Sequence, residues 1–315
     1  KAGLLFNVNR SVTKPVTTNL PTQFAKFVGR EDELTWAFDA LREPTNRLLT
    51  ITGISGVGKT RFAIQLGSRL MDVFSDGVWF VPLNSIHAVD LIPNEILQVF
   101  QLEPGETDHQ RFLIDFLRSK NLLLIIDNFE QLLDGTTFLL SILREAPGIK
   151  ILVTSQRRLS YQAAHILDLK GLPYPEEYDS QWMNFEAVEL FLARAKRNQP
   201  GFRVENKNVP HLIKICQTVN GLPLGLELAA AGLRFYSCEQ IAGQLQSNLD
   251  ILTTTMMDIP ERHRSLRAAF DQSWSMLPEK ERDAYCRLSV FQGEFSMDQA
   301  LATTGASLAV ISALV

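Results

Sequence analysis

The sequence predicts an α/β fold: a mostly parallel sheet with helices on both faces, followed by an all-helical part. Three observations carry this. Short β-like runs alternate with helical stretches up to about residue 172, and strand signals stop there. Leu122–Ile126 is a near-continuous apolar run, as a strand covered on both faces requires. A glycine-rich octapeptide, Gly53–Thr60, lies between an apolar strand and a helical stretch.

The strands are expected at Leu48–Thr52, Gly77–Leu83, Leu122–Asp127, Ile149–Ser155 and His165–Leu169. Between them, Thr60–Phe74, Asp90–Phe100, Gln110–Ser119 and Thr137–Glu145 carry apolar residues at helical spacing. The later part reads as helices at Phe185–Lys196, Val209–Val219 and Leu222–Phe235, broken at Pro200–Gly201 and Asn220–Gly221. A second boundary falls near Thr253–Pro260. Beyond it come helices at about His263–Leu277 and Glu279–Phe291, and another that Ser296 could cap. Residues 1–25, rich in Thr, Asn, Val and Pro, read as a linker. The expected units are thus 1–25, 26–172, 173–255 and 256–315.

Composition narrows the function classes. With 315 residues, 45% apolar and 21% charged, the chain can build a sizeable core across two or three domains. A formal net charge of -4 argues against broad electrostatic binding to nucleic acid. Cys216, Cys238 and Cys286 share no metal-ligand spacing and are expected to be reduced thiols packed as small apolar groups, which fits a cytoplasmic protein. No apolar run approaches the ~20 residues that cross a bilayer. Lys1 is not an initiator Met and 307–315 stop within an apolar helix-like pattern, so the sequence is expected to be a piece of a longer chain.

Residues 53–60, GISGVGKT, match G-x-x-x-x-G-K-[ST], a phosphate cradle. A polyphosphate needs several N–H donors converging on it, so the backbone must wrap closely. Gly53, Gly56 and Gly58 permit that approach, with Ser55 and Val57 between them. Lys59 supplies a charge to the β- and γ-phosphates, and Thr60 a hydroxyl for Mg²⁺. The helix beginning at about Lys59, with Arg61 in its first turn, aims its N–H groups and positive dipole end at the same anion.

Asp127 ends the buried run Leu122–Ile126, delivering a carboxylate at the edge where ligands of open parallel sheets bind. It is expected to hold Mg²⁺ through water. Asn128 follows where a second acid would speed water activation. Glu130 either orients a water or is a solvated loop charge. Slow turnover is expected.

Here the sequence resembles the STAND signal-transduction ATPases, which include the NB-ARC switches. It looks closest to their bacterial branch of large multidomain regulators. Six strings carry the resemblance, in order: Phe27–Glu31, Gly53–Thr60, Leu122–Glu130, Ile151–Leu159, Gly221–Leu224, and Ser265–Pro278 with Arg287–Phe291. The resemblance implies a P-loop nucleotide-binding domain, a helical lid and the start of a winged helix. It implies ADP or ATP with Mg²⁺, with Val28, Gly29 and Arg30 flanking adenine and Pro223 near the base. It implies a switch in which ADP locks the modules together and ATP favours an open form that oligomerises, with effector and sensor domains elsewhere. Where the class has a sensor arginine, this chain has Gln156, followed by Arg157 and Arg158. A neutral amide cannot supply the charge that reads a γ-phosphate, so either Arg157 or Arg158 substitutes or triphosphate sensing is weak. The class's later His motif would fall past Val315.

The remaining residues read blandly. The five histidines share no ligand spacing, and Trp36, Trp79, Trp182 and Trp274 are expected in the core or at domain interfaces. The Arg262–Arg267 cluster is read as a solvated face or domain contact. Two rival functions stand beside the switch. One is a regulator whose winged helix touches DNA directly. The other is a P-loop kinase acting on a small substrate.

Overall fold

The structure is a computed structural model that describes residues 18–159, 164–178, 180–245, 248–253, 264–291 and 293–314. Its first helix, α1 (Glu31–Arg42), opens with three acids and closes with Arg42, the order that suits the helix dipole. Then come β1 (Leu48–Thr52), α2 (Lys59–Arg69), β2 (Val78–Pro82), α3 (Ile92–Val99), α4 (His109–Leu117), β3 (Leu122–Asp127), α5 (Thr136–Glu145), β4 (Ile149–Thr154) and β5 (His165–Asp168). The strands form one sheet in the order β2–β3–β4–β1–β5, and all four pairings are parallel. Five helices follow in chain order before the last three: α6 (Glu186–Asn198), α7 (Val209–Thr218), α8 (Pro223–Gly232), α9 (Cys238–Leu245) and α10 (Leu266–Ser275). The chain then runs through α11 (Glu279–Leu288), α12 (Met297–Thr304) and α13 (Leu308–Leu314).

The strand side chains divide by parity. Leu49, Ile51, Leu123, Ile125 and Leu152 face a core shared with α1, α2 and the helices α6–α9. Leu48, Leu122, Leu124, Ile126, Ile151 and Val153 face a second core with α3, α4 and α5. Every residue of β1 and β3 is buried, which is why neither strand shows a polar face in sequence. Each such Leu or Ile contributes roughly 1.5–3 kcal/mol. The β2 edge is covered in part by side-chain mimicry: Asn19 Oδ1 accepts from Phe80 N–H at 2.7 Å and its Nδ2 donates to Phe80 O at 2.8 Å.

Local chemistry sets the helix ends. Asp108 caps α4 by accepting from Gln110 and Arg111 N–H. Pro223 sits at the first turn of α8, where its missing N–H costs nothing. Ser296 and Gln299 form a reciprocal capping box on α12, as Ser296 promised, and Gly305 ends that helix at φ 64°.

Some expectations need correction. Trp36 is 44% exposed and so is not a core residue, whereas Trp182 is buried and Trp274 packs edge-on against Tyr285 of α11. Cys286 is exposed, because α11 buries only Glu281 and Ala284, while Cys216 and Cys238 are packed as expected. α1 and α9 were not foreseen. Each buries a narrow stripe, Leu34, Ala37 and Leu41 in one and Cys238, Ile241, Ala242 and Leu245 in the other. Among the described residues, every regular element after β5 is a helix, with an isolated bridge between Thr253 and Ser265, and a wing hairpin is not among them. Arg262 and His263 of the basic cluster lie outside the described residues. Arg267 is paired with Asp250.

Candidate functional site

The strand order places the ends of β1, β4 and β3 side by side, and the loop after β1 opens onto that edge. Gly56 has φ 79°, and a Cβ there would stand 2.8 Å from Leu224 Cβ. Gly53 has φ 141°, and a Cβ would meet Leu169 O at 2.6 Å. Both positions thus need glycine for conformation and for space. Lys59 Nζ donates to Gly53 O at 2.8 Å and Ile54 O at 3.1 Å, so the ammonium stands across the loop mouth.

Asp127 is buried at the end of β3. Its Oδ1 accepts from Thr60 Oγ1 at 2.8 Å and from Thr154 Oγ1 at 2.5 Å. Asn128, held in the left-handed region at φ 64°, donates its N–H to Thr154 Oγ1 at 3.1 Å. Thr154 therefore ties β4 to β3 just where the carboxylate leaves the sheet. Glu130 Oε1 accepts from Gln156 Nε2 at 3.3 Å. Glu130 Oε2 is buried with no hydrogen-bond partner among the described residues, so the solvated-charge reading does not fit it.

The helices after the sheet roof the loop. Leu224 N–H donates to Gly56 O at 3.2 Å, and Pro223 packs 4.0 Å from where a Gly58 Cβ would be. Arg61 donates to Glu227 Oε1 at 3.1 Å, and the same oxygen accepts from Arg194 at 2.8 Å. Burial lowers the Arg61 pKa, with Glu227 opposing the shift. Together Ser55, Gly56, Gly58, Lys59, Thr60 and Arg61 line one cleft with Glu130 and Pro223.

The N-terminal motif lies beside the cleft and behind the loop. Arg30 is 4% exposed, in the left-handed region, and donates to Val57 O at 2.9 Å and Lys170 O at 2.8 Å. Burial lowers its pKa, opposed by Glu33 and Glu186. Its guanidinium thus braces the loop from behind. Arg30 N–H donates to Glu186 Oε1 at 3.0 Å, and a Cβ on Gly29 would collide with that carboxylate. Val28, Arg30, Val57, Arg61, Leu190 and Pro223 line a small slot beside the cleft.

The cradle, the carboxylate on the neighbouring strand end and the roofing Gly-Leu-Pro-Leu turn meet at one edge in the order the sequence strings take. At that edge the chain resembles the STAND class of P-loop proteins. No protein-family model matches the chain. A Mycobacterium tuberculosis (H37Rv) protein, named as an HTH-type transcriptional regulator, is 33% identical over 255 residues, 80% of this chain and 28% of its own length. The chain therefore spans 28% of that relative. A second M. tuberculosis protein is 29% identical over 279 residues, 88% of this chain and 68% of its own. A crystal structure of a STAND protein with a tetratricopeptide repeat sensor from Pyrococcus horikoshii aligns over 96% of this chain and 40% of that one, at 18% identity and TM-score 0.47.

Arg157 is not in the main cleft. It lines an adjoining cavity with Gly53, Ile54 and Arg158, and donates to Glu281 Oε1 at 3.1 Å. Sequence reasoning missed Thr154, Glu227, Gln272, Ser273 and Glu281. Thr154 lay inside the quoted Ile151–Leu159 string, and Gln272 and Ser273 inside Ser265–Pro278. Glu227 and Glu281 carry no local signal, since they reach the site only by packing. No helix of the described residues is long and apolar enough to cross a membrane.

Proposed function

We propose that this chain is a nucleotide-dependent molecular switch, closed by ADP and opened by ATP, serving a signalling or transcription-regulating protein. One observation carries the reading. The phosphate loop is roofed by residues from another part of the chain, through Leu224 N–H to Gly56 O and through Arg61 to Glu227. A ligand filling the cleft therefore touches both sides at once, and would favour the closed arrangement by its differential affinity. At about 100 times its Kd it stabilises the bound form by ~2.7 kcal/mol. We read 26–172, 173–255 and 256–315 as the three modules it holds, and self-association as the outcome of opening.

The residues fit Mg²⁺. Thr60 Oγ1 and Asp127 Oδ1 are 2.8 Å apart. An ion on the Thr60 hydroxyl would therefore bring a water of its shell within reach of the Asp127 carboxylate. No cluster of three His, Cys, Asp or Glu side chains gathers among the described residues, so the ion would draw its other ligands from phosphate oxygens and water. Bound Mg²⁺ would neutralise charge on the phosphates. Lys59 would reach the β- and γ-phosphates, Val28 and Pro223 would enclose the base, and Glu130 would orient a water for slow hydrolysis. The direct DNA reading is weakened by the pairing of Arg267 with Asp250.

The test is to denature the purified protein and identify the released nucleotide by ion-pair chromatography. Near-stoichiometric ADP, absent from Lys59→Ala, supports a locked switch. An empty wild-type site favours an ordinary fast-exchanging ATPase or a kinase.

A further inference from the structure

Two consecutive side chains at the end of β4 leave the sheet and are gripped by the C-terminal helices. Gln156 donates to Glu130 Oε1 at 3.3 Å, and its own Oε1 accepts from Ser273 Oγ of α10 at 2.7 Å. Arg157 donates to Glu281 Oε1 of α11 at 3.1 Å. The Glu281 side chain is 10% exposed, and its Oε2 is buried with no hydrogen-bond partner among the described residues. A carboxylate so enclosed needs a cation, and Arg157 supplies it.

The position of these two side chains gives the grip its consequence. Gln156 lines the main cleft with Lys59, Thr60 and Glu130, and also the adjoining cavity with Arg157, Gly53 and Ile54. Lys59 Nζ stands on the carbonyls of Gly53 and Ile54. Because a P-loop lysine serves the β- and γ-phosphates, the far end of a bound polyphosphate lies on the side where Gln156 and Arg157 stand. A third phosphate brings charge and acceptor oxygens that would claim an arginine.

We propose that Ser273 and Glu281 set the site's preference for a nucleoside diphosphate over a triphosphate by holding Gln156 and Arg157, the two side chains beside the end of the loop where a third phosphate arrives. The assignment rests on the switch reading above. The coupling is reciprocal. A triphosphate that takes Arg157 leaves Glu281 buried and unpaired, which loosens α11, and docked α10 and α11 deny the triphosphate its readers. A diphosphate needs neither side chain and leaves the grip intact. Glutamine in place of an arginine follows from this: a neutral amide can bridge Glu130 and Ser273 without adding an uncompensated charge between the modules.

The experiment is titration calorimetry on the 315-residue chain with ADP and with a non-hydrolysable ATP analogue, each with Mg²⁺. In Ser273→Ala and in Glu281→Gln, the analogue should gain at least about fivefold in affinity relative to ADP. The ADP affinity should hold within about twofold. A charge swap, Arg157→Glu with Glu281→Arg, keeps an ion pair but removes the phosphate reader, and the analogue should bind no tighter than to wild type. An unchanged ratio, a parallel loss of both affinities, or a gain in the swap would each overturn the proposal, since packing alone would then account for the contacts. If wild type binds neither nucleotide, the switch reading itself fails. If it binds both and the ratio does not move, only this assignment does.

Discussion

Thr60 Oγ1 donates to Asp127 Oδ1 at 2.8 Å, joining the first turn of α2 to the end of β3 with β4 lying between the two strands. This pair makes the metal claim testable. Thr60→Ala or Asp127→Asn should weaken nucleotide binding about tenfold or more with Mg²⁺, equivalent to ~1.4 kcal/mol. In chelator, the change should be about threefold or less. Equal losses with and without the metal would mean that the pair only shapes the loop.

The Gly56–Leu224 contact ties the loop to its roof. Gly56→Ala forces a side chain into the left-handed region, costing roughly 1–2 kcal/mol, and sets its Cβ against Leu224. We expect about 2–3 kcal/mol of lost stability in urea unfolding. Leu224→Ala in that background should recover part of the loss. Additive effects in the double-mutant cycle would refute the contact.

Glu227 accepts from Arg61 and Arg194, and Arg194 is nearly enclosed. Glu227→Ala leaves two arginines facing each other and should cost about 1.5–3 kcal/mol. Glu227→Gln, which keeps an acceptor, should cost less. Retention of nucleotide should fall with the same ranking, because the arginine that holds the roof lines the cleft.

Burial pushes the Cys216 thiol up to about 12 from 9.0. The protonated thiol is favoured in the folded state, so its contribution is full below the unfolded value and is lost as pH rises from about 9 toward 12. Unfolding free energy should fall in that window with a slope approaching 1.4 kcal/mol per pH unit from this group. Cys216→Val should flatten that part of the profile. Burial also raises the Cys238 thiol, so an aromatic disulfide reagent at neutral pH should find Cys286 first.

The middle of the sheet was legible because β1 and β3 are buried on both faces and so stand out as apolar runs. The expected bounds of β1 and β3 match the structure, and β2, β4 and β5 are shorter by a residue or two than expected. The loop was legible because close backbone approach demands glycine at fixed spacing. α1 and α9 are faint in the sequence because their buried stripes are narrow, three residues in one and four in the other. The grip on β4 was beyond reading: Ser273 lies 117 residues from Gln156, and Glu281 lies 124 from Arg157. Arg30 shows a subtler limit. It lines the same slot as Val28 and Pro223, but the sequence did not show that its guanidinium also donates to Val57 O and Lys170 O and braces the loop.

The most direct measurement is calorimetric titration of Mg-ADP into the wild-type chain and into Lys59→Ala. We expect one site per chain in wild type and at least about a tenfold loss of affinity in the variant, with the far-ultraviolet spectrum unchanged. Equal affinity in the two proteins would remove Gly53–Thr60 as the phosphate site and the switch with it.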